Sequence, residues 1–88
     1  MASCKVVFKP SVEKDFRSLP KTVVARVFEW IESLREEPLP RQAVKLESGE
    51  HLYRIRVGDY RIVYGFDKDA KLIMIHYVRH RREVYRKR

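Results

Sequence analysis

Apolar residues recur at helical spacing along the first half of this chain and at every second position along much of the second half. Ahead of the helical part, Lys5-Val6-Val7-Phe8-Lys9 is short, apolar and β-branched, and Pro10 closes it, which predicts a first strand. Ser11 is the expected N-cap of a short helix whose pattern is set by Val12, Asp15, Phe16 and Leu19. Pro20 ends that helix, because proline disfavours helical geometry in the residue before it. A second helix is predicted from Thr22 to Glu36. Val23, Val27, Trp30 and Leu34 make its stripe, Val24, Phe28 and Ile31 widen it, and Glu29, Glu32, Arg35 and Glu36 occupy the remaining surface. The whole stripe, Trp30 included, is expected to pack in a core. Leu19-Pro20-Lys21 joins the two helices into a hairpin.

Pro38-Leu39-Pro40 opens a loop expected to run to about His51. Strands follow from Leu52 to Val57, from Tyr60 to Phe66 and from Leu72 to Val78. Gly58-Asp59 is a two-residue turn with glycine first, as type II′ requires, and Asp67-Lys68-Asp69-Ala70 makes a longer one. From Arg79 to Arg88 the chain is polar and basic, with Val84 and Tyr85 the only apolar interruption. The predicted order is βααβββ, an α+β fold with both helices on one face of a small, mostly antiparallel sheet. Residues 1–88 are expected to form a single domain, since a chain of this size supports about one layer of helices on one sheet.

The hairpin around Gly58-Asp59 can be read in register. Val57 faces Tyr60, Arg56 faces Arg61 and Arg54 faces Val63. Arg54, Arg56, Arg61 and Val63 then share one side of the sheet, expected to face solvent. Tyr53, Ile55, Val57, Tyr60, Ile62 and Tyr64 share the other, expected to meet the helices. Like charges directly opposed across strands cost roughly 0.2–1 kcal/mol. An anion between Arg56 and Arg61 would offset that cost, and a phosphate suits the paired donors of a guanidinium.

Charge supports this. The chain carries +8 in all; residues 51–88 hold eleven Lys/Arg against four Asp/Glu, whereas residues 1–50 hold nine against eight. A net +7 on the second half points to a polyanionic partner, foremost a nucleic acid. The last stretch adds Arg79, His80, Arg81 and Arg82, then Tyr85, which can stack on a base while its neighbours hold the backbone. Cys4 is alone, which excludes an internal disulfide and a cysteine metal centre. His51 and His76 read as structural or surface residues, and three scattered histidines give no metal-ligand spacing. No run approaches a membrane span and no apolar signal segment follows the amino terminus, so the expected setting is the cytoplasm.

The run Leu52-Tyr53-Arg54-Ile55-Arg56-Val57-Gly58-Asp59-Tyr60-Arg61-Ile62-Val63-Tyr64 resembles the central signature of the RelE/ParE toxin superfamily. His80-Arg81-Arg82-Glu83-Val84-Tyr85 resembles the carboxy-terminal signature of its RelE branch, and Phe16-Arg17-Ser18-Leu19-Pro20 is similar to the helical part. The resemblance implies a toxin that enters the ribosomal A site and cleaves mRNA through the message's own 2′-hydroxyl, with neither metal nor cofactor. By position it implies that Arg54 and Arg56 are the basic pair of the second strand and that Arg61 grips the scissile phosphate. Tyr85 stacks on or orients bases, and Arg81 is the second catalytic arginine, donating a proton to the leaving oxygen, with Arg79 its rival. Arg79, His80 and Arg82 are expected to bind RNA. Where some members have lysines this chain has Arg54 and Arg56. A guanidinium cannot serve as base, which leaves His80, Tyr85 or water. The implied partners are the ribosome, mRNA and an acidic, partly disordered antitoxin. The alternatives are gyrase inhibition as in the ParE branch, or a catalytically weak RNA-binding homologue.

Overall fold

The computed structural model describes residues 3–47 and 49–80. Its elements are β1 (Lys5–Phe8), α1 (Pro10–Arg17), α2 (Lys21–Glu36), β2 (Val44–Lys45), β3 (Leu52–Val57), β4 (Tyr60–Asp67) and β5 (Leu72–His80). Helix α1 begins ahead of its expected cap. Lys9 is the N-cap, Ser11 lies inside the first turn, and no side chain caps the end. Pro10 takes the first helical position, where its missing N–H would have had no intrahelical partner anyway. The carbonyl of Pro20 accepts the Val23 and Val24 N–H groups at 3.0 Å each and so starts α2 without a polar cap.

The chain leaves β1 at one edge of the sheet, crosses one face through α1 and α2, and re-enters at the opposite edge in β2. It then returns strand by strand until β5 lies parallel to β1, giving the order β1-β5-β4-β3-β2. All other pairings are antiparallel. The expected α+β arrangement holds, with one addition: the stretch expected as a loop contains β2, where Val44 pairs with Arg54 and Lys45 with Tyr53. Two residues are too few to show an alternating pattern in the sequence.

Val12 of α1 and Val27, Ile31 and Leu34 of α2 are buried against Ile55, Val57, Ile62, Tyr64, Ile73, Ile75 and Val78 of the sheet. Phe28 departs from the expected stripe. It sits about 100° round the helix from Val27, stays 42% exposed, and stacks on Phe16 at 5.0 Å instead of entering the core. Tyr64 is fully buried, and its hydroxyl donates to the Pro38 carbonyl at 2.6 Å, which pins the segment after α2 to the sheet. Burial, assisted by the neighbouring Tyr53, holds that hydroxyl protonated far above the ordinary tyrosine range.

The β3–β4 register is the one read from the turn, Arg56 opposite Arg61 and Arg54 opposite Val63, and Gly58 alone of the two turn residues has a positive φ, 60°. The β4–β5 ladder carries an irregularity. Tyr64 pairs with Ile75, but Val63 pairs with Tyr77, so His76 is an extra residue in β5. The bulge reverses the phase of the strand. Ile73 and Ile75 point into the core, and beyond His76 it is Val78 that does so, while Tyr77 and Arg79 turn to the opposite face. His76 lies against Gly65, whose missing side chain leaves room for the ring: a Cβ there would stand 3.3 Å from His76 Nε2. Desolvation in this position, reinforced by Lys9, pulls the His76 pKa below 6.5.

Two tests address these contacts. Tyr64→Phe deletes the donor to Pro38 and is expected to lower stability by about 1 kcal/mol in urea denaturation, with the fold unchanged. His76 binds its proton less readily in the folded chain than in the unfolded one. Its contribution is therefore complete above pH 6.5 and is lost as pH falls through the lowered folded value. In acid denaturation series, His76→Gln should lose less stability below pH 6.5 than the parent chain does.

Candidate functional site

Residues opposed across antiparallel strands point to the same face of a sheet. Arg56 of β3 opposes Arg61 of β4, and Arg61 opposes Arg79 of β5, so three arginines form one row across three strands, on the face turned away from the helices. The next row holds Arg54, Val63 and Tyr77. Strand spacing of ~4.8 Å puts the outer backbone positions of the arginine row ~10 Å apart.

The three side chains are held differently. Arg56 is exposed and donates from Nε to the Gly58 carbonyl at 3.2 Å, which folds it back over the turn. Arg61 corrects the expectation of a wholly solvent-facing patch: it keeps only 7% of its exposure, its Nε and Nη1 are shielded from water, and Val63 beside it is buried too. The reason is its place on β4, which has a full neighbour on each side. Arg56 has none beyond it, because β2 pairs only with Tyr53 and Arg54. Arg79 lies with its guanidinium carbon 4.5 Å from the centre of the Tyr77 ring, and its Nε is 3.8 Å from Asp15 Oδ1. Arg54 is partly buried on the same face.

His80 does not join them. It pairs with Tyr60 on the helix side of the sheet, and the two rings meet edge to face at 5.2 Å. Arg81, Arg82 and Tyr85 lie outside the described residues. Sequence reasoning missed Tyr77 and Asp15. Strict alternation along β5 would have put Tyr77 and Arg79 with Ile73 and Ile75, and a bulge leaves no mark in hydrophobic periodicity. Asp15 carried no signal, since it reaches Arg79 only through the packing of α1 on β5.

A hollow of about 820 Å³ lies further along the sheet, lined among others by Leu52, Gly65, Met74 and His76. Its rim carries Glu50, Asp67 and Asp69 beside Lys68, which makes it a poor seat for an anion, so the arginine row is the part of this surface fitted to one. Among the described residues no group of three or more His, Cys, Asp or Glu is placed to hold a metal ion, and no helix is long and apolar enough to cross a membrane. Chemically, the row can bind a phosphodiester and stabilise charge that develops on it. It cannot abstract a proton, because guanidinium groups stay charged.

Comparison with known proteins identifies the family. Residues 6–85 match the family model described as the ParE toxin of the type II toxin–antitoxin system parDE. The putative toxin RelE1 of Methanocaldococcus jannaschii is 30% identical over 78 residues, covering 85% of this chain and 87% of the relative. The RelE–RelB complex of Pyrococcus horikoshii OT3 contains a chain with a TM-score of 0.80 and 36% identity, covering 90% of this chain and 96% of that one. The isolated RelE toxin of E. coli, 24% identical, shares the fold at a TM-score of 0.78 over 94% of this chain and 92% of its own. Matched to the family along nearly its whole length and to its solved members in fold, this chain belongs to the RelE/ParE family of toxins from type II toxin–antitoxin systems.

Proposed function

We propose that this toxin is a ribosome-dependent endoribonuclease that cuts mRNA in the A site. The observation that carries the reading is the row Arg56–Arg61–Arg79, three arginines opposed in register on one sheet face, a surface that suits a phosphodiester. In the reaction, the 2′-oxygen of the message attacks the adjacent phosphorus and the 5′-oxygen of the next nucleotide leaves, which yields a 2′,3′-cyclic phosphate and a 5′-hydroxyl end. Arg61, shielded from water, grips the phosphate where electrostatic stabilisation is strongest. Arg54 and Arg56 hold the strand from the hairpin side. Arg79, beside Arg61, offsets charge on the leaving oxygen, which takes its proton from Arg81 or from water to end as the 5′-hydroxyl; Arg82 holds the flanking backbone, and Tyr85 stacks on a base. His80 faces the other side of the sheet, so the proton of the 2′-hydroxyl goes to Tyr85 or to water. The chemistry so written needs no metal or cofactor, and its setting is the cytoplasm.

The relative from Pyrococcus horikoshii was crystallised as a RelE–RelB complex. We extend that pairing to this chain: an acidic, partly disordered antitoxin would mask the cationic face, folding as it binds. A second reading, inhibition of DNA gyrase, is favoured by the ParE description of the matching family model.

The deciding measurement is cleavage of mRNA on programmed ribosomes. The parent toxin should cut at A-site codons, and Arg61→Ala should slow the cut by roughly 10²–10³-fold. Because that change also empties a buried position, Arg56→Ala serves beside it at an exposed one, with a loss of about tenfold expected. Growth arrest without any cleavage, together with loss of supercoiling by purified gyrase, would instead establish the second reading.

A further inference from the structure

Strand β5 runs past the end of β1. The two are paired as far as Phe8 and Ile75, with the Lys9 N–H still reaching the Ile75 carbonyl, after which β1 turns away into α1. From there the outer edge of β5 is covered by α1, and Asp15 does two things at that edge. Its Oδ2 accepts the Val78 N–H at 3.2 Å, supplying the acceptor that a neighbouring strand would have provided. Its Oδ1 lies 3.8 Å from the Nε of Arg79. The carboxylate side chain is only 14% exposed and Arg79 is 33% exposed, so the pair is sheltered from water far more than an ordinary surface ion pair.

We propose that Asp15 is a positioning residue for Arg79, holding it at the outer end of the arginine row; the proposal rests on that row being the phosphodiester site. Arginine has a long stem with many rotamers, and Arg79 stands next to a second guanidinium that repels it. Left to itself it would swing out into water. Two contacts oppose this. The Tyr77 ring supports one face of the guanidinium, at 4.5 Å, and Asp15 engages the Nε corner. Asp15 approaches the Nε corner rather than the end carrying the two terminal nitrogens, with which an arginine meets a phosphate. The Val78 contact in turn ties the carboxylate to the sheet backbone, so Arg79 is referenced to the strand that carries it. Nothing in this arrangement gives Asp15 a contact with RNA; it acts through Arg79.

Asp15→Asn separates the two duties, because an amide oxygen can still accept the Val78 N–H while the charge that holds Arg79 is gone. The purified toxin should keep its denaturation midpoint near that of the parent. The Nε–H resonance of Arg79 in ¹⁵N-labelled protein should lose its distinct position and move to the crowd of solvated arginines. On programmed ribosomes, kcat should fall by roughly ten- to a hundredfold with KM little changed, and Asp15→Glu should recover part of the loss. In an Arg79→Ala background, Asp15→Asn should add almost nothing. An unmoved Arg79 resonance in Asp15→Asn, or an equal loss of kcat in the presence and absence of Arg79, would overturn the proposal. If the parent toxin cuts no RNA at all, the nuclease reading fails on its own, and the resonance still decides whether Asp15 holds Arg79.

Discussion

The single extra residue in β5 governs what this surface is. Side chains along a strand alternate between faces, so inserting one residue in one strand exchanges the faces of everything beyond it. Before His76 the odd-numbered residues of β5 enter the core; after it they leave it. Without that exchange Arg79 would be driven toward the buried apolar layer and Val78 toward the open face. With it, Val78 completes the core opposite Ile62, and Arg79 comes level with Arg61. One local irregularity thus satisfies packing on one side of the sheet and assembles the cationic row on the other. Gly65 helps make it possible, since no side chain there opposes the His76 ring.

The row itself works against folding. Each pair of opposed like charges costs roughly 0.2–1 kcal/mol, and shielding Arg61 from water adds a desolvation penalty. The fold supports this through the rigid layer below it. Ile55, Ile62 and Val78, on the same three strands, are all buried against the helices. A site mounted on paired strands over a packed core keeps its charges where they are, which is what stabilisation of a developing charge requires. Asp15 and Tyr77 extend the same principle to the most outlying member. The aromatic trio Phe8, Phe16 and Phe28 lies apart from the open sheet face, between β1 and the two helices, so the cationic surface and the aromatic one are separate features of the molecule.

Much of this was legible in the chain because the signals were local. The helical stripe of α2 and the alternation through Leu52–Val57 each extend over enough residues to be unambiguous. Gly58 determines the turn that sets the β3–β4 register, and a two-residue loop leaves the flanking strands one way to pair, with Arg56 against Arg61. The local departures are equally physical. Ser11 is a good capping residue, but Pro10 fits the first helical position better than it fits a strand end, and this moved the helix start. Phe28 lies at the margin of its stripe, where a ring can rest on another helix instead of reaching the sheet.

By itself, then, the sequence determined the two helices and the hairpin with its register, which depend on neighbours a few residues apart, and the segregation of positive charge and the family resemblance, which need only composition and motif. Tertiary structure decided the rest. The burial of Arg61 follows from β4 lying between two full strands, the face taken by Tyr77, Arg79 and His80 follows from the bulge, and the contact of Asp15 with Arg79 follows from α1 covering the edge that β1 leaves. Each of these joins residues distant in the chain, and periodicity, which compares a residue only with its near neighbours, carries no record of them.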